Sequence, residues 1–275
     1  MSYKLVAIDV DGTLINNDYK IPPYNKEVIK QLYSEGVQFV IASGRNDWHV
    51  KGYVDELGIS NLVIGCNGAQ VRNLKSKELF VLEPIDKKVL KELFALMDRE
   101  NIIFKAFSLD TIYITENVEE DYLARMEIRA DLGSDEESRM KCITATSDEI
   151  AEKEIIKVIV THETDTEYLS EVHKKINVIE GIQVARSAAI CVDMAKYGVS
   201  KGSGLKHLAE KLGIKPEEVI AIGDGGNDKE MLQYAGLSVA MGNAENELKE
   251  IADMVAESNE EAGLGKILWK IFKEN

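Results

Sequence analysis

The chain has 275 residues, 45% of them hydrophobic and 29% charged. This is an ordinary globular composition that excludes disorder, collagen or a coiled coil as the dominant state and leaves room for one large domain or two modest ones. The formal net charge of −15 argues against a nucleic-acid polyanion as partner, because phosphate backbones are bound through a basic face, while a local cation still admits a small phosphorylated ligand.

Residues 5–8 form a short apolar run that stops at Asp9 and reads as a strand buried on both faces. Pro22 and Pro23 precede a helical pattern at Val28, Ile29, Leu32 and Tyr33, closed by Gly36. Further strands are expected at 37–42 and 62–64, separated by a helix over 48–57 that ends at Gly58. Strand and helix alternate at short spacing, which predicts a doubly wound α/β unit.

Beyond Glu83-Pro84 the rhythm changes. An amphipathic helix is expected over 86–101, strands over 102–107 and 111–115, an acidic helix-like stretch over 118–137, a strand over 155–160 and a helix over 166–176. Val184 and 190–194 are further strand candidates, and the pattern is weakest over 132–154. Hairpin-like pairs mixed with helices predict an α+β insertion.

The α/β rhythm returns after Gly198, with a helix over 201–212, a strand over 219–222, a helix over 228–234, a strand over 237–240 and helices over 245–252 and up to about Phe272. The prediction is a Rossmann-like doubly wound parallel sheet made from 1–83 and 195–275, with a second domain inserted at 84–194. The chain would cross between them near Glu83-Pro84 and 195–199.

Cys66, Cys142 and Cys191 form no C-x-x-C pair, so neither a disulfide framework nor a zinc knuckle is expected. The first residues have no basic segment followed by a long apolar run, and no stretch approaches the ~18 residues of a membrane span. A protein of the reducing cytoplasm, without membrane contact, is the expectation.

Four segments could carry chemistry. Asp9-Val10-Asp11-Gly12-Thr13 stands at a strand's carboxyl end, where open parallel sheets bind ligands. Residues two apart in extended chain face the same side, so Asp9 and Asp11 can share a site, and Gly12 lets the chain turn away. Two such carboxylates can divide roles, one ionised as nucleophile or metal ligand and one cycling a proton.

Ser43-Gly44-Arg45 ends the next strand, and its hydroxyl, N–H and guanidinium could cradle an oxyanion; alone, it is more often a strand-ending turn with a solvated arginine. Lys201 opens a helix, where an ammonium can help hold a phosphate, although a solitary lysine is more often solvated. Gly223-Asp224-Gly225-Gly226-Asn227-Asp228 follows a strand and suits a hard cation with oxygen ligands, or else a tight turn capped by Asn227 or Asp228. The histidines show no metal-like spacing, and no G-x-x-x-x-G-K-[ST] segment is present.

Taken in order, DVDGT at 9–13, SGR at 43–45, Lys201 within YGVSKGSGL and GDGGND at 223–228 resemble the haloacid dehalogenase superfamily, and within it the Cof-type phosphatase branch with a C2-type cap. The resemblance spans the chain, and the long interval between Arg45 and Lys201 is where such a cap would lie.

It implies a Mg²⁺-dependent phosphatase of small phosphomonoesters such as sugar phosphates. Asp9 would be the nucleophile, forming an aspartyl-phosphate, and Asp11 the acid and base. Asp9, the Asp11 backbone carbonyl and Asp224 would hold Mg²⁺, with Asp228 orienting the metal's surroundings or Lys201. Gly12, Ser43, Gly44, Arg45, Lys201 and Asn227 would contact the phosphoryl group, and Asn67 and Gly68 the substrate. Asp121, Arg125, Arg129 and Arg186 are candidate cap residues. The implied partner is a small phosphorylated metabolite, and the expected assembly a monomer or weak homodimer. A phosphosugar mutase using the same nucleophile and a non-catalytic phosphometabolite-binding protein are the alternatives.

Overall fold

The computed structural model describes residues 3–115, 140–162, 164–188 and 190–274, with side chains described for all of these except 186–188. The acidic stretch at 118–137, and with it Asp121, Arg125 and Arg129, lies outside the described residues, as does the side chain of Arg186. The chain divides into two compact units, one of residues 1–81 with 200–275 and the other of residues 82–199.

The first unit is built on an eight-stranded sheet. Its strands are β1 (Leu5–Asp9), β2 (Gln38–Ala42), β3 (Leu62–Gly65), β4 (Gln70–Asn73), β5 (Leu79–Leu82), β12 (Val219–Gly223), β13 (Leu237–Ala240) and β14 (Met254–Val255), in the order β14-β13-β12-β1-β2-β3-β4-β5. From β14 to β3 the pairing is parallel, and β4 folds back antiparallel on β3.

Alternate side chains enter opposite faces. Val6 and Ile8 join Phe39 and Ile41 in one core, covered by α1 (Pro23–Ser34), α2 (Asp47–Leu57) and α9 (Gly263–Lys273). Leu5 and Ala7 join Val40 and Ala42 in the other, covered by α6 (Lys201–Leu212), α7 (Lys229–Tyr234) and α8 (Asn246–Ile251). Burial on both faces is why β1 and β12 read as unbroken apolar runs. β1 lies between β2 and β12, so the strand order reverses there and opens a crevice at the carboxyl ends of β1, β2 and β12.

The second unit holds a six-stranded sheet of β6 (Lys105–Phe107), β7 (Thr111–Thr115), β8 (Lys141–Ala145), β9 (Lys157–Thr161), β10 (Ile182–Ala188) and β11 (Cys191–Lys196), ordered β10-β11-β9-β6-β7-β8. Its core packs α3 (Lys87–Arg99), α4 (Ser147–Ala151) and α5 (Thr166–Ile176) on Ala106, Val158, Val160, Val192 and Met194, with Phe94 and Phe104 stacked at 4.4 Å between ring centres.

Three core strands were not foreseen: β4, β5 and the short edge strand β14. Where the pattern at 132–154 is weak, the described part contains β8 and α4, the latter opened by a capping box between Thr146 and Glu149. No helix among the described residues is long and apolar enough to cross a membrane.

Candidate active site

Asp9 is the last residue of β1, and its backbone carbonyl accepts the Leu14 N–H at 3.1 Å, tying down the turn through Val10-Asp11-Gly12-Thr13. Gly12 has φ +84°, and a Cβ there would overlap the Asp224 carboxylate. Only glycine lets the β1 loop approach the β12 loop this closely. Thr13 uses the approach, donating its hydroxyl to Asp224 Oδ1 at 3.0 Å.

Lys201 is the first residue of α6, whose start is set by a reciprocal cap between Ser200 and Ser203. Its side chain is 1% exposed, with Nζ 2.5 Å from Asp9 Oδ1 and 2.6 Å from Asp228 Oδ1. Asp228 spends its other oxygen on the backbone N–H groups of Asp224 (3.0 Å) and Gly225 (3.1 Å), so it closes its own loop and anchors the lysine at once.

Burial pushes the Asp9 carboxyl well above its usual range, reinforced by the Asp228 and Asp224 charges and opposed by Lys201. Asp224 is pushed up to about 6, first by burial and then by Asp228, with the Thr13 hydroxyl pulling back. Burial alone would depress the Lys201 ammonium, but Asp228 and Asp9 outweigh it and hold the lysine charged.

Asp9, Asp224 and Asp228 each place an oxygen within 4.8 Å of the others. Three buried or half-buried carboxylates against one ammonium leave an excess of negative charge that the side chains do not balance. An all-oxygen donor set with that excess fits a hard divalent cation. The Asp11 carboxylate is not in this cluster. It is half exposed and gripped by Arg45, which donates Nε to Asp11 Oδ2 at 2.9 Å and NH2 to Oδ1. Arg45 is thus turned onto Asp11 rather than standing as a vacant guanidinium, and the Ser43 hydroxyl accepts the Arg45 N–H at 3.1 Å.

Asn67 lies in the turn after β3 with φ +53°, beside Cys66 at φ +49°. Its Oδ1 accepts Asn227 Nδ2 at 3.0 Å and stands 3.1 Å from where a Gly44 Cβ would be. Gly68, at φ +97°, leaves no space for a Cβ against the Ser200 carbonyl. The structure therefore groups the predicted residues in two sets. Asp9, Lys201, Asp224 and Asp228 form the charged centre, and Gly44, Asn67 and Asn227 form an amide-rich rim. Arg45 and Asp11 form a pair beside them.

Sequence reasoning missed Asn243. Its Nδ2 donates to the Gly12 carbonyl at 2.8 Å and to Asp224 Oδ2 at 3.2 Å, while its Oδ1 accepts the Asn259 N–H at 3.0 Å. The available signal was its position three residues beyond β13, another strand whose carboxyl end borders the crevice.

The sequence pattern of haloacid dehalogenase-like hydrolases matches residues 6–268. The chain is 32% identical over 281 residues to "Phosphatase YwpJ" of Bacillus subtilis, covering 96% of this chain and 98% of that protein. It is 28% identical to the 5-amino-6-(5-phospho-D-ribitylamino)uracil phosphatase YcsE of Bacillus subtilis, covering 96% and 94% of the two chains. Among solved structures, the HAD subclass IIB sugar phosphatase BT4131 superposes with a TM-score of 0.78 at 25% identity, covering 98% of each chain.

Proposed function

This chain belongs to the haloacid dehalogenase-like hydrolases and is a phosphatase, and from that premise we propose that it hydrolyses small phosphomonoesters through a covalent phosphate on Asp9. The observation that carries the reading is the buried Lys201 ammonium bridging Asp9 and Asp228 at the strand ends, with Asp224 in the same cluster.

Asp9 attacks phosphorus, and the bond from phosphorus to the ester oxygen breaks as the aspartyl-phosphate forms. Asp11 gives a proton to the departing alkoxide, then takes one from the water that releases inorganic phosphate, which returns Asp9 to its starting state. Both Asp11 oxygens are held by Arg45 N–H donors, so this reading requires the pair to open as substrate enters, which frees the guanidinium for an anionic oxygen. Lys201 opposes the rise that burial imposes on Asp9, favouring its ionised form, and stays beside the phosphoryl group. Asn227, Asn67, Ser43 and the Gly44 N–H would supply hydrogen bonds to its other oxygens.

Asp9, Asp224 and the Asp11 carbonyl are the groups proposed to hold Mg²⁺, with Asp228 orienting Lys201 and the loop that carries Asp224. The bound ion would offset the repulsion between an anionic nucleophile and an anionic ester. The substrates named for these two similar proteins, a sugar phosphate and a phosphorylated ribityl compound, are small phosphomonoesters, and this chain is assigned the same class.

The test is phosphate release from a panel of sugar phosphates, nucleotides and cofactor phosphates, with Mg²⁺ and with EDTA. Release that requires the cation and is lost in Asp9→Asn supports the mechanism. Undiminished turnover by folded Asp9→Asn refutes the assignment of the nucleophile.

A further inference from the structure

Behind the amide-rich rim lies a buried polar cluster that the reaction does not use. Asn46 and Asp47 follow Arg45 and open α2, while Gln70 and Arg72 project from β4 on the same side of the strand. Asn46, Asp47 and Gln70 are all buried, the last two with 0% exposure. Gln70 Nε2 donates to Asn46 Oδ1 at 3.1 Å. The Asp47 carboxylate takes an ion pair from Arg72 and a 2.8 Å hydrogen bond from the Trp48 N–H.

Gly65 pairs directly across from Gln70 in the β3–β4 hairpin, and a Cβ there would stand 2.7 Å from Gln70 Nε2 and 3.0 Å from the Asp47 N–H. The glycine makes room for the glutamine to cross to Asn46.

This cluster joins two loops that are also zipped along the backbone. The Ser43 N–H donates to the Ile64 carbonyl at 2.8 Å, Cys66 N–H to Arg45 at 2.8 Å and Asn67 N–H to Ser43 at 3.0 Å. Cys66 and Asn67 stand between these anchors in left-handed backbone, a conformation that non-glycine residues hold only when their surroundings impose it. Burying three polar side chains, one of them charged, and partly burying the Arg72 guanidinium is costly against an apolar alternative of the same volume, so their return has to be sought in what they hold in place.

We propose that Gln70 and Asn46, braced by the Asp47–Arg72 pair, are positioning residues that set the placement of Gly44 and Asn67 for the phosphoryl group. The proposal rests on the function read above, in which Gly44 and Asn67 contact the phosphoryl oxygens. Gln70 and Asn46 touch no substrate and act through the two loops.

The test is a double-mutant cycle between Gln70→Leu and Asn67→Ala, reading kcat, KM and the inhibition constant of inorganic phosphate, with melting temperature as the control for folding. Each single variant is expected to raise KM and the phosphate inhibition constant about tenfold, as unpaired or lost buried hydrogen bonds do, with kcat within about twofold. The double variant is expected to be no worse than Asn67→Ala. A purely structural effect would remove active molecules and lower kcat, leaving KM and the inhibition constant alone.

Unchanged constants in folded Gln70→Leu, or effects that multiply to about a hundredfold in the double variant, overturn the proposal. Where Gln70→Leu does not fold, Asn46→Ala removes the other half of the same bond. Loss of folding in both assigns the cluster to stability alone and likewise overturns it. Unchanged constants in Asn67→Ala would instead strike at the assignment of Asn67 itself, and the proposal with it, which separates the two failures.

Discussion

Replacing Lys201 with methionine should unfold this protein more readily, and by an amount the geometry bounds. The ammonium is 1% exposed and stands 2.5 Å from Asp9 Oδ1 and 2.6 Å from Asp228 Oδ1. At an effective dielectric of about 20, each contact carries a gross attraction of about 6–7 kcal/mol, most of it spent in desolvating the three groups. Removing the cation while the carboxylates stay buried leaves them uncompensated, and the expected net loss is about 3–5 kcal/mol.

Denaturant unfolding in EDTA at neutral pH measures it, and by heat the same loss corresponds to roughly 6–20 °C for a unit of this size. The penalty has a pH signature. Asp9 and Asp224 bind protons more tightly folded than unfolded, so acidification from neutral towards about pH 5 protonates the native cluster ahead of the unfolded chain. Without Lys201 that preference is stronger, so the variant should recover part of its deficit as pH falls. A loss below about 1 kcal/mol, or a deficit that grows on acidification, would refute the claim that Lys201 neutralises a buried carboxylate cluster.

Asp9→Asn should remain folded and melt above the cation-free parent, because burial disfavours the charge it removes; calorimetry reads the shift, and phosphate release should fall at least about 10³-fold. Gly12→Ala would force the Asp224 carboxylate aside: the parent should gain about 2.7 kcal/mol at a Mg²⁺ concentration a hundred times its dissociation constant, and the variant less than about half of that, measured by thermal shift. Cation binding should strengthen as pH rises through about 6, where Asp224 loses its proton, and calorimetry in two buffers of different ionisation enthalpy should show proton release.

The parallel core was legible because its strands are buried on both faces, which writes β1, β2 and β12 as plain apolar runs that end at or beside the candidate site residues. The helix over Lys201–Leu212 was legible to the residue, since Ser200 caps its start and Gly213 in left-handed backbone ends it. β4 was not: the sequence Gln-Val-Arg-Asn shows one apolar residue and reads as loop, although Gln70 is fully buried and Arg72 reaches the buried Asp47. The rule that apolar residues mark the interior fails where buried polar groups find ionic or hydrogen-bonded partners, as Gln70 Nε2 does at Asn46 and Asp47 does at Arg72.

The sequence by itself determined which residue types stand at the strand ends, because strand periodicity, the glycine turns and the helix caps are local properties written within a few residues. Tertiary structure alone decided their partners. Lys201 meets Asp9 across 192 positions of sequence and Thr13 meets Asp224 across 211. The exchange of Arg45 onto Asp11, the Asn243 bridge between the two loops and the Asn46–Gln70 clamp arise in the same way, only after the sheet order brings distant strand ends together. Local pattern sets the direction of a side chain, whereas its charge state and its partner depend on burial and on neighbours that the whole fold supplies.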